Sequence, residues 1–303
     1  MFCKKKATLL VAILCVFAVS FVACSKKEAV SSGAATSADG ATSQEVTKAD
    51  KKAEEKKAKA EEKKAEESKK GSSGVKLPTT PNAEEDFIVE LTEDGTGAVV
   101  TGYKGKSGGV YIPATIQGLP VKEVQFYGGD TVTAVVVSDG CTSASISGGN
   151  IKYISLPDSV TEYSGLDDTS ITEFEVPAGV KVIDNLPLTL EKISFRGAPE
   201  EIGQDAFREN TKIKTITLPD SIRVIAWGAF YKCTALESIN FPASLENIGW
   251  YAFDFCDNLK EIIIPDSLTS LKFSSSEDSF YSCSSLPLAT QARLKQLGYS
   301  RKF

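Results

Sequence analysis

Histidine is absent from the chain, and its absence excludes several common chemistries. Without an imidazole there is no Ser-His-Asp triad, no histidine general base and no histidine ligand for a metal. The seven cysteines include no close pair of the C-x₂-C kind, so the sequence offers no zinc site. We therefore expect no catalytic residues, no metal and no cofactor, and we interpret the chain as a non-enzyme.

Positive charge is scarce in the larger part of the chain. The net charge is −6 over 303 residues, and it is unevenly distributed. Residues 1–23 carry +3 and residues 24–70 carry +2, which leaves −11 on residues 71–303. A region with this charge repels a phosphate backbone, so we expect no nucleic acid among its partners.

Long apolar runs are also missing, except for one at the start of the chain. Lys4, Lys5 and Lys6 precede a run of about 17 apolar residues that ends at Ala23. This layout is typical of a secretory signal, and the run is shorter than the roughly 20 residues of a membrane-spanning helix. We predict a lipoprotein signal peptide over 1–23.

The end of this run, Phe21-Val22-Ala23-Cys24, resembles a bacterial lipobox. The resemblance implies that the Cys24 thiol receives a diacylglycerol and becomes the new N-terminus, which makes the membrane a partner through the lipid. Two or more acyl chains anchor a protein stably. The alternative is an ordinary signal peptide with a cysteine at this position by accident.

A low-complexity tether is predicted over 24–80. Residues 25–47 contain too few apolar side chains to offset the entropy of ordering them, so we expect them to be disordered. Residues 48–70 consist almost entirely of lysine, alanine and glutamate, which favour a helix. We interpret this helix as a spacer, and the alternative is direct contact of its lysines with anionic lipid.

A short pattern recurs after the tether: an apolar residue, two variable residues, an apolar residue, one variable residue and an apolar residue. Successive copies start 19 to 23 residues apart, and a proline, which ends a strand, directly follows most of them. The seven copies are Val132-Val135-Val137, Ile151-Ile154-Leu156, Ile171-Phe174-Val176, Leu190-Ile193-Phe195, Ile213-Ile216-Leu218, Leu236-Ile239-Phe241 and Leu259-Ile262-Ile264.

The last units align over 23 residues, and in them Ala-Phe pairs and a column of Asn210, Cys233 and Cys256 recur. One unit buries too little apolar surface to fold alone, so neighbouring units must share a core. The fold class predicted is a repeat solenoid with a parallel β-sheet on one face and short helical turns or loops on the other. We predict repeats over 127–283, an N-terminal cap over 81–126 with a hairpin, and a C-terminal cap over 284–303 with a short helix.

These repeats resemble the BspA-like leucine-rich repeats, also called the Treponema pallidum type. The most specific pieces are EIGQDAF, IAWGAFYKCTALESINFP and NIGWYAFDFCDNLKEIIIP. The resemblance covers 86–303 and implies a right-handed solenoid. It also implies an exported bacterial protein, in the outer membrane and displayed at the cell surface, that adheres to host proteins or other bacteria.

The variable positions of each strand point away from the core because side chains alternate along a strand. Stacked strands would therefore form one ribbon of outward side chains, which solenoids use for binding. An aromatic residue among charges, as at Tyr153, is typical of a recognition surface. The predicted binding face comprises Tyr153, Ser155, Glu173, Glu175, Lys192, Thr215, Thr217, Asn240, Glu261 and Ile263. The alternative is that these are solvated strand residues without a partner.

Two smaller features have alternatives of their own. Trp227 and Trp250 are one repeat apart and are interpreted as partly buried, although an exposed aromatic pair is the alternative. Cys233 and Cys256 occupy a slot that favours a small buried residue, so we predict free thiols rather than a disulfide.

The function predicted is therefore a lipid-anchored cell-envelope protein that adheres or binds through its concave β-face. The ligand class is a protein, from host matrix or a bacterial surface, or a glycan. The alternative is a structural or periplasmic envelope lipoprotein with no host ligand.

Overall fold

A computed structural model describes residues 74–106, 108–273 and 278–303. The predicted signal peptide, Cys24 and the 48–70 helix lie outside the described residues. The described part is a stack of coils, and each coil contributes one short strand to each of two rows. The predicted solenoid of leucine-rich repeats is confirmed, and helix is a minor component of it.

The first row contains the strands that the apolar pattern predicted. Within the described residues it has eight strands, which pair in parallel and in three groups, β3-β6-β8, β10-β12 and β14-β16-β18. They are β3 Gly109–Ile112, β6 Ala134–Val137, β8 Tyr153–Ser155, β10 Glu173–Val176, β12 Lys192–Phe195, β14 Thr215–Ile216, β16 Ser238–Asn240 and β18 Glu261–Ile263.

A second row of strands runs along another side of the stack. Its strands pair in the orders β1-β2-β5-β7-β9 and β11-β13-β15-β17-β19, with β4 beside β5. They are β1 Phe87–Leu91, β2 Ala98–Tyr103, β4 Thr115–Ile116, β5 Leu119–Tyr127, β7 Ser143–Ser147, β9 Glu162–Ser164, β11 Val182–Ile183, β13 Glu201–Ile202, β15 Val224–Ile225, β17 Asn247–Ile248 and β19 Lys272–Phe273. Strands β1 and β2 are the predicted hairpin. For the rest of this side the sequence analysis predicted short helical turns or loops, so the other strands of the row are an addition to the predicted fold.

A repeated turn connects the first row to the second. In five coils the carbonyl of the proline after the first-row strand accepts a hydrogen bond from the amide three residues later, as from Ile222 to Pro219 at 3.1 Å and from Leu245 to Pro242 at 3.1 Å. Proline suits this position because it ends the strand without an amide that needs a ladder partner. In four of these coils the second-row strand starts two residues after the turn, and β19 starts four residues after it.

The core fills the space inside the coils. Inward side chains of successive coils lie on one another, and those of one complete coil are at most 1% exposed. Burial of this kind stabilises by about 2 kcal/mol per large side chain, and only the stack provides it. The buried side chains of that coil are Ile222, Ile225, Ala229, Phe230, Cys233, Leu236, Ile239 and Phe241.

The 23-residue coils have a third side that consists of turns, so of the two predicted forms, helical turns or loops, the structure has the second. Asp205, Phe207 and Glu209 donate their amides to the carbonyls of Trp227, Ala229 and Tyr231 on the next coil, at 2.7 to 3.0 Å. Asp205 and Glu209 have positive φ values of 55° and 60°, and equivalent residues of later coils do too. We call this side the turn ladder, because its hydrogen bonds between coils hold a backbone conformation that side chains disfavour.

Both ends of the stack are covered. At the N-terminal end β1 and β2 form the predicted antiparallel hairpin, whose turn is fixed by hydroxyls of Thr92 and Thr96 that hold the pKa of Asp94 well below its ordinary value. Asn82 reaches back to β3, donating its amide to the Tyr111 carbonyl at 3.0 Å. Strands β3 and β5 already pair in parallel with β6 and β7, so the 81–126 region also supplies a coil.

At the C-terminal end the predicted helix is present as α1, Leu288–Gln296, and Gly298 follows it with a φ of +117°. Rings of Phe273, Phe280, Tyr299 and Phe303 contact one another below the last coil. Two 3₁₀ helices, Glu84–Asp86 and Leu166–Asp168, complete the elements. In the part of the chain that the structure describes, the helices fall short of the length and apolarity needed to cross a membrane.

Candidate functional site

The outward side chains of the first row form the predicted face, and strand register brings several of them together. Glu173 lies beside Lys192 and Glu175 beside Ser194 on the paired strands β10 and β12. Tyr153 and Ser155 are on β8, which belongs to the preceding group of strands. The row is therefore interrupted between the strand of Tyr153 and the strand of Glu173.

A depression of about 270 Å³ lies at this interruption. It exposes parts of Ile154 and Phe174 at its floor, whereas its rim is polar. Five of the ten predicted face residues line it, and they are the ones with the most distinctive chemistry. The lining includes Tyr153, Ser155, Glu173, Glu175, Lys192, Ser194 and Arg196.

Arg196 holds the depression together across three coils. Its Nε lies 3.2 Å from Asp158 Oδ1 and 3.6 Å from Glu175 Oε2, and its guanidinium donates to the carbonyl of Leu156. Leu156 and Arg196 are two coils apart, so the side chain passes over the intervening coil. A guanidinium can make these contacts together because it presents several donors in one plane.

Sequence analysis missed Arg196, although one signal marks it. Arg196 follows the apolar pattern at the position where Pro157, Pro177 and Pro219 follow it in other units. Unlike a proline it has an amide, which donates to the Val176 carbonyl at 3.1 Å. A charged residue in a column of prolines is therefore the departure from the repeat that points to this part of the surface.

Charge at the rim is mixed. Glu173 and Lys192 are exposed neighbours, and among the described residues neither forms an ion pair within 4.0 Å. Glu175 is engaged by Arg196, so its carboxylate has a fixed position. Among the described residues, the rim thus presents one acid outside ion pairs, Glu173, two such amines, Lys152 and Lys192, and the Tyr153 ring, which favours a partner with charges of both signs.

The remaining predicted residues lie further along the row, away from the depression. Thr215 aligns with Ser238 and Glu261, and the Ser238 hydroxyl donates to Glu261 Oε2 at 2.8 Å. Ile263 is 55% exposed, and Thr217 is also exposed.

Asn240 differs from the other face residues. Its Nδ2 donates to the Leu218 carbonyl at 3.0 Å, and its Oδ1 accepts from the Leu218 amide at 2.6 Å. Both ends of its amide side chain are thus committed to joining two coils, which makes a structural role the better interpretation of this residue.

The cysteines of the repeats are free and buried, as predicted. Cys233, Cys256 and Cys283 follow one another along the stack, and each thiol donates to the carbonyl of a phenylalanine on the preceding coil at 3.0 to 3.1 Å. Burial raises the pKa of the Cys256 and Cys283 thiols far above their ordinary value. Such thiols are protonated at neutral pH and do not act as nucleophiles.

Phenylalanines stack beside this column of thiols. Phe207, Phe230, Phe253 and Phe280 are successive members, with ring centroids 4.9 to 5.1 Å apart and planes within 11° of parallel. Asn210 takes the thiol position in the first of these coils, where its side chain bonds to Leu190, Lys212 and Ile213. These residues explain the repeated Ala-Phe and Cys columns as core structure.

The two parallel rows, the Pro turns and the outward ribbon define a solenoid of leucine-rich repeats with a polar binding face. Residues 185–300 match the BspA type leucine rich repeat region in six copies, so the chain carries repeats of this type, as the sequence predicted.

Two solved structures are similar to this chain. The chain is similar to a leucine-rich repeat protein of T. pallidum, with 27% identity, a TM-score of 0.51, and coverage of 74% of this chain and 99% of that one. A leucine-rich repeat protein of Bacteroides ovatus ATCC 8483 is similar at 22% identity and a TM-score of 0.42, over 69% of this chain and 70% of that one. None of the curated proteins matches the chain.

Repeat arrays of this class are in general protein-binding or scaffold modules rather than enzymes, because an extended surface and not a cleft is what the stack offers.

Proposed function

We propose that the chain is an exported, lipid-anchored surface protein that adheres to a protein ligand through the first-row face. The supporting features are the signal with Cys24 at its end, the charged spacer of 48–70 and the repeat array that follows them. In this arrangement the lipid holds the protein on the outer membrane and the spacer carries the repeats away from it. The signal, Cys24 and the spacer lie outside the described residues.

One observation carries the choice of surface. The distinctive residues of the predicted face, Tyr153, Glu173 and Lys192, meet at a depression where the strand row is interrupted. Further along the row, beyond a second interruption between β12 and β14, the outward residues are small, as Thr215 and Thr217 are, or hydrogen-bonded, as Ser238 and Glu261 are, with Ile263 as an exposed exception. A concave site with an aromatic residue, free charges and a partly apolar floor is what a protein side chain or loop needs in order to dock.

Binding is tested on whole cells that produce the full chain. We expect such cells to adhere to at least one of immobilised fibronectin, laminin and collagen. The double variant Tyr153→Ala, Glu173→Ala should lower the adhesion at least tenfold, because central aromatic and charged contacts contribute about 2 kcal/mol each in protein interfaces.

The control places the same two substitutions elsewhere. Tyr127 on β5 is 67% exposed and Glu162 on β9 is exposed, and both belong to the second row. Tyr127→Ala, Glu162→Ala should leave the adhesion unchanged. Equal adhesion by both double variants would reject the first-row face, and no adhesion by any cells would favour the structural alternative.

The anchor is tested separately by fractionation. Cys24→Ala should move the protein from the membrane to the soluble fraction, whereas Cys15→Ala, within the apolar run, should not. Protease treatment of intact cells should then remove the repeats of the parent protein. Membrane retention of Cys24→Ala contradicts lipidation, and protection from protease contradicts display at the surface.

A further inference from the structure

A second surface with recognition chemistry lies on the turn ladder, on a different side of the coils from the first-row face. Six aromatic residues on consecutive coils form it, and we call it the aromatic strip: Trp227, Tyr231, Trp250, Tyr251, Phe255 and Tyr281. Their rings meet edge to face, with centroids 5.5 to 6.3 Å apart for the pairs Trp227–Tyr251, Tyr231–Tyr251, Tyr231–Phe255 and Phe255–Tyr281. These contacts hold five of the six rings in place, so little of their side-chain entropy remains to be lost on binding. Trp250 belongs to the strip as the repeat equivalent of Trp227.

The N-terminal end of the strip already holds cations. The Arg208 guanidinium lies 4.4 Å from the Tyr231 centroid and 5.7 Å from that of Trp227, and Lys232 Nζ lies 5.2 Å from the Tyr231 centroid. Arg208 also pairs with Asp205 at 3.0 Å. Arg208 is therefore an example, within this protein, of an arginine held between aromatic rings and a carboxylate.

The C-terminal end of the strip has two well exposed rings. Trp250 is 39% exposed and Tyr281 is 50% exposed. Among the described residues no lysine or arginine lies over Trp250, Phe255 or Tyr281.

Two acids flank this end of the strip. Asp278 supplies the carbonyl that accepts the Tyr251 amide at 2.7 Å, and it aligns with Asp205, the acid that pairs with Arg208. Asp257 is exposed and accepts from the Ser282 hydroxyl at 3.0 Å. The Asp257 carboxylate is thus held by the residue that follows Tyr281, while Asp278 lies two residues before Phe280, as Asp205 lies two residues before Phe207.

We propose that this end of the aromatic strip binds an arginine side chain on a basic segment of another protein. The arginine would lie over rings at the C-terminal end of the strip, as Arg208 and Lys232 lie over rings at the N-terminal end. Its plane would stack on an exposed ring while its N–H groups reach a carboxylate. The −11 charge of residues 71–303 attracts basic partners over a longer range.

Arginine is favoured over lysine because its planar guanidinium stacks on a ring and donates in the same plane, and because it is weakly hydrated. A neutral glycan would use the rings but would gain nothing from the excess of acid. The partner segment that fits this end of the strip is therefore short and extended. It carries an arginine, whose side chain it presents to Trp250.

Binding is measured through the fluorescence of Trp250. The chain has two tryptophans, so the Trp227→Phe variant leaves Trp250 as the single indole and retains an aromatic ring at position 227. The full chain of this variant, in a nonionic detergent, is titrated with a capped peptide of alternating glycine and arginine, and its fluorescence is recorded. The same peptide with citrulline, which keeps the shape and removes the charge, is the matched probe. We expect saturable quenching by the arginine peptide and at least about tenfold weaker binding of the citrulline peptide.

Two variants of the chain complete the test, with binding followed by anisotropy of a labelled arginine peptide. Tyr281→Leu should weaken binding about fivefold or more, whereas Tyr127→Ala, an exposed aromatic on β5, should leave it unchanged. A circular dichroism melt shows whether each variant is folded. If Tyr281→Leu fails to fold, the comparison of the two peptides on the Trp227→Phe variant still decides.

Three results would overturn the proposal. Equal affinity for the arginine and citrulline peptides would exclude a guanidinium site. Quenching by a neutral oligosaccharide with no response to either peptide would assign the strip to glycans. A tenfold gain in peptide affinity on deletion of residues 48–70 would show that the chain's own lysines occupy the strip. Because the first-row face is not involved, none of these results bears on the adhesion proposed above.

Discussion

The coils before and after residue 170 share two rows of strands but differ in length and regularity. In the N-terminal coils, residues 87–168, paired first-row residues are 25 residues apart between β3 and β6 and 19 apart between β6 and β8, and second-row strands are long, such as β5 with nine residues and β7 with five. In the C-terminal coils, residues 171–303, the second-row strands have two residues, and the 23-residue units add the turn ladder. In the 23-residue units, the turn ladder thus gives each coil a third side in addition to the two rows of strands.

The interior differs in the same way. The C-terminal coils repeat one side chain at one position, which gives the stack of Phe207, Phe230, Phe253 and Phe280 and the thiol column beside it. The N-terminal coils fill their core with a mixture of valine, isoleucine and alanine. Regular stacking concentrates stability in nearest-neighbour contacts of the C-terminal coils.

The boundary between the two regions is where both rows of strands are interrupted, between β8 and β10 and between β9 and β11. Gly179 marks the close approach there, since a Cβ at this position would lie 2.5 Å from the Val160 carbonyl oxygen. The depression at Tyr153 and Glu173 opens at this boundary. A regular stack presents a uniform surface, so a distinct site arises where two kinds of coil meet.

The largest effect that separates the two regions is expected from Phe230→Ala. Phe230 is fully buried and lies between two stacked rings, so its removal should lower the free energy of unfolding by about 3–5 kcal/mol. The loss should appear as faster hydrogen exchange in the C-terminal coils, measured by mass spectrometry, with β5 and β7 protected as before. Phe126→Ala, on β5, is the matched change and should loosen the N-terminal coils. Uniform loss of protection from either variant would mean that the stack unfolds as one unit.

A smaller effect is expected where the thiol column begins. Asn210→Cys extends the column by one residue, yet it should lower the free energy of unfolding by about 1–3 kcal/mol. The amide bonds to Leu190, Lys212 and Ile213 are lost, and a thiol replaces at most one of them. Urea denaturation measures the change. Asn150→Cys, at an exposed asparagine whose Nδ2 donates to the Asp130 carbonyl at 2.9 Å, should cost less, about 0.5–1 kcal/mol. A gain in stability from Asn210→Cys would show that regularity outweighs hydrogen bonding.

The contrast between the regions also explains how far the sequence predicted the structure. The apolar pattern with its proline predicted the first row, because each strand there is long enough to alternate and is followed by a residue that must end it. In the second row, β1 and β2 were predicted as a hairpin, and β5 and β7 were missed although they are long enough to alternate. In the C-terminal coils that row escaped prediction because its two-residue strands, such as Val224 and Ile225, show no period of their own. They become strands only through the hydrogen bonds of neighbouring coils.

The same distinction holds for the candidate site. Tyr153, Glu173 and Lys192 were predicted from alternation, which fixes the direction of a side chain. Their meeting at a depression depends on the interrupted pairing of β8 and β10, which is a relation between coils and leaves no local pattern. For Asn240, alternation placed the side chain outward correctly, but it gave no information about the two hydrogen bonds with Leu218.

The smallest effect is expected for the ionisation of the buried thiols at alkaline pH. It also compares the two regions most directly. Burial raises the pKa of Cys141, in the N-terminal coils, to about 11, and raises that of Cys283 further. An unfolded thiol ionises near 8.5, so the stability held by each buried thiol is complete below that pH and falls as the pH rises towards the folded pKa.

Iodoacetamide at pH 9 to 10, followed by peptide mass mapping, should therefore label Cys141 of the folded protein before Cys256 and Cys283. In 6 M urea the three should react at similar rates, which controls for intrinsic reactivity. A thiol also reacts through local opening of the chain. Faster labelling of Cys256 than of Cys141 would therefore mean that the phenylalanine stack opens more readily than the mixed core. That result would reverse the order of stability argued for the two regions.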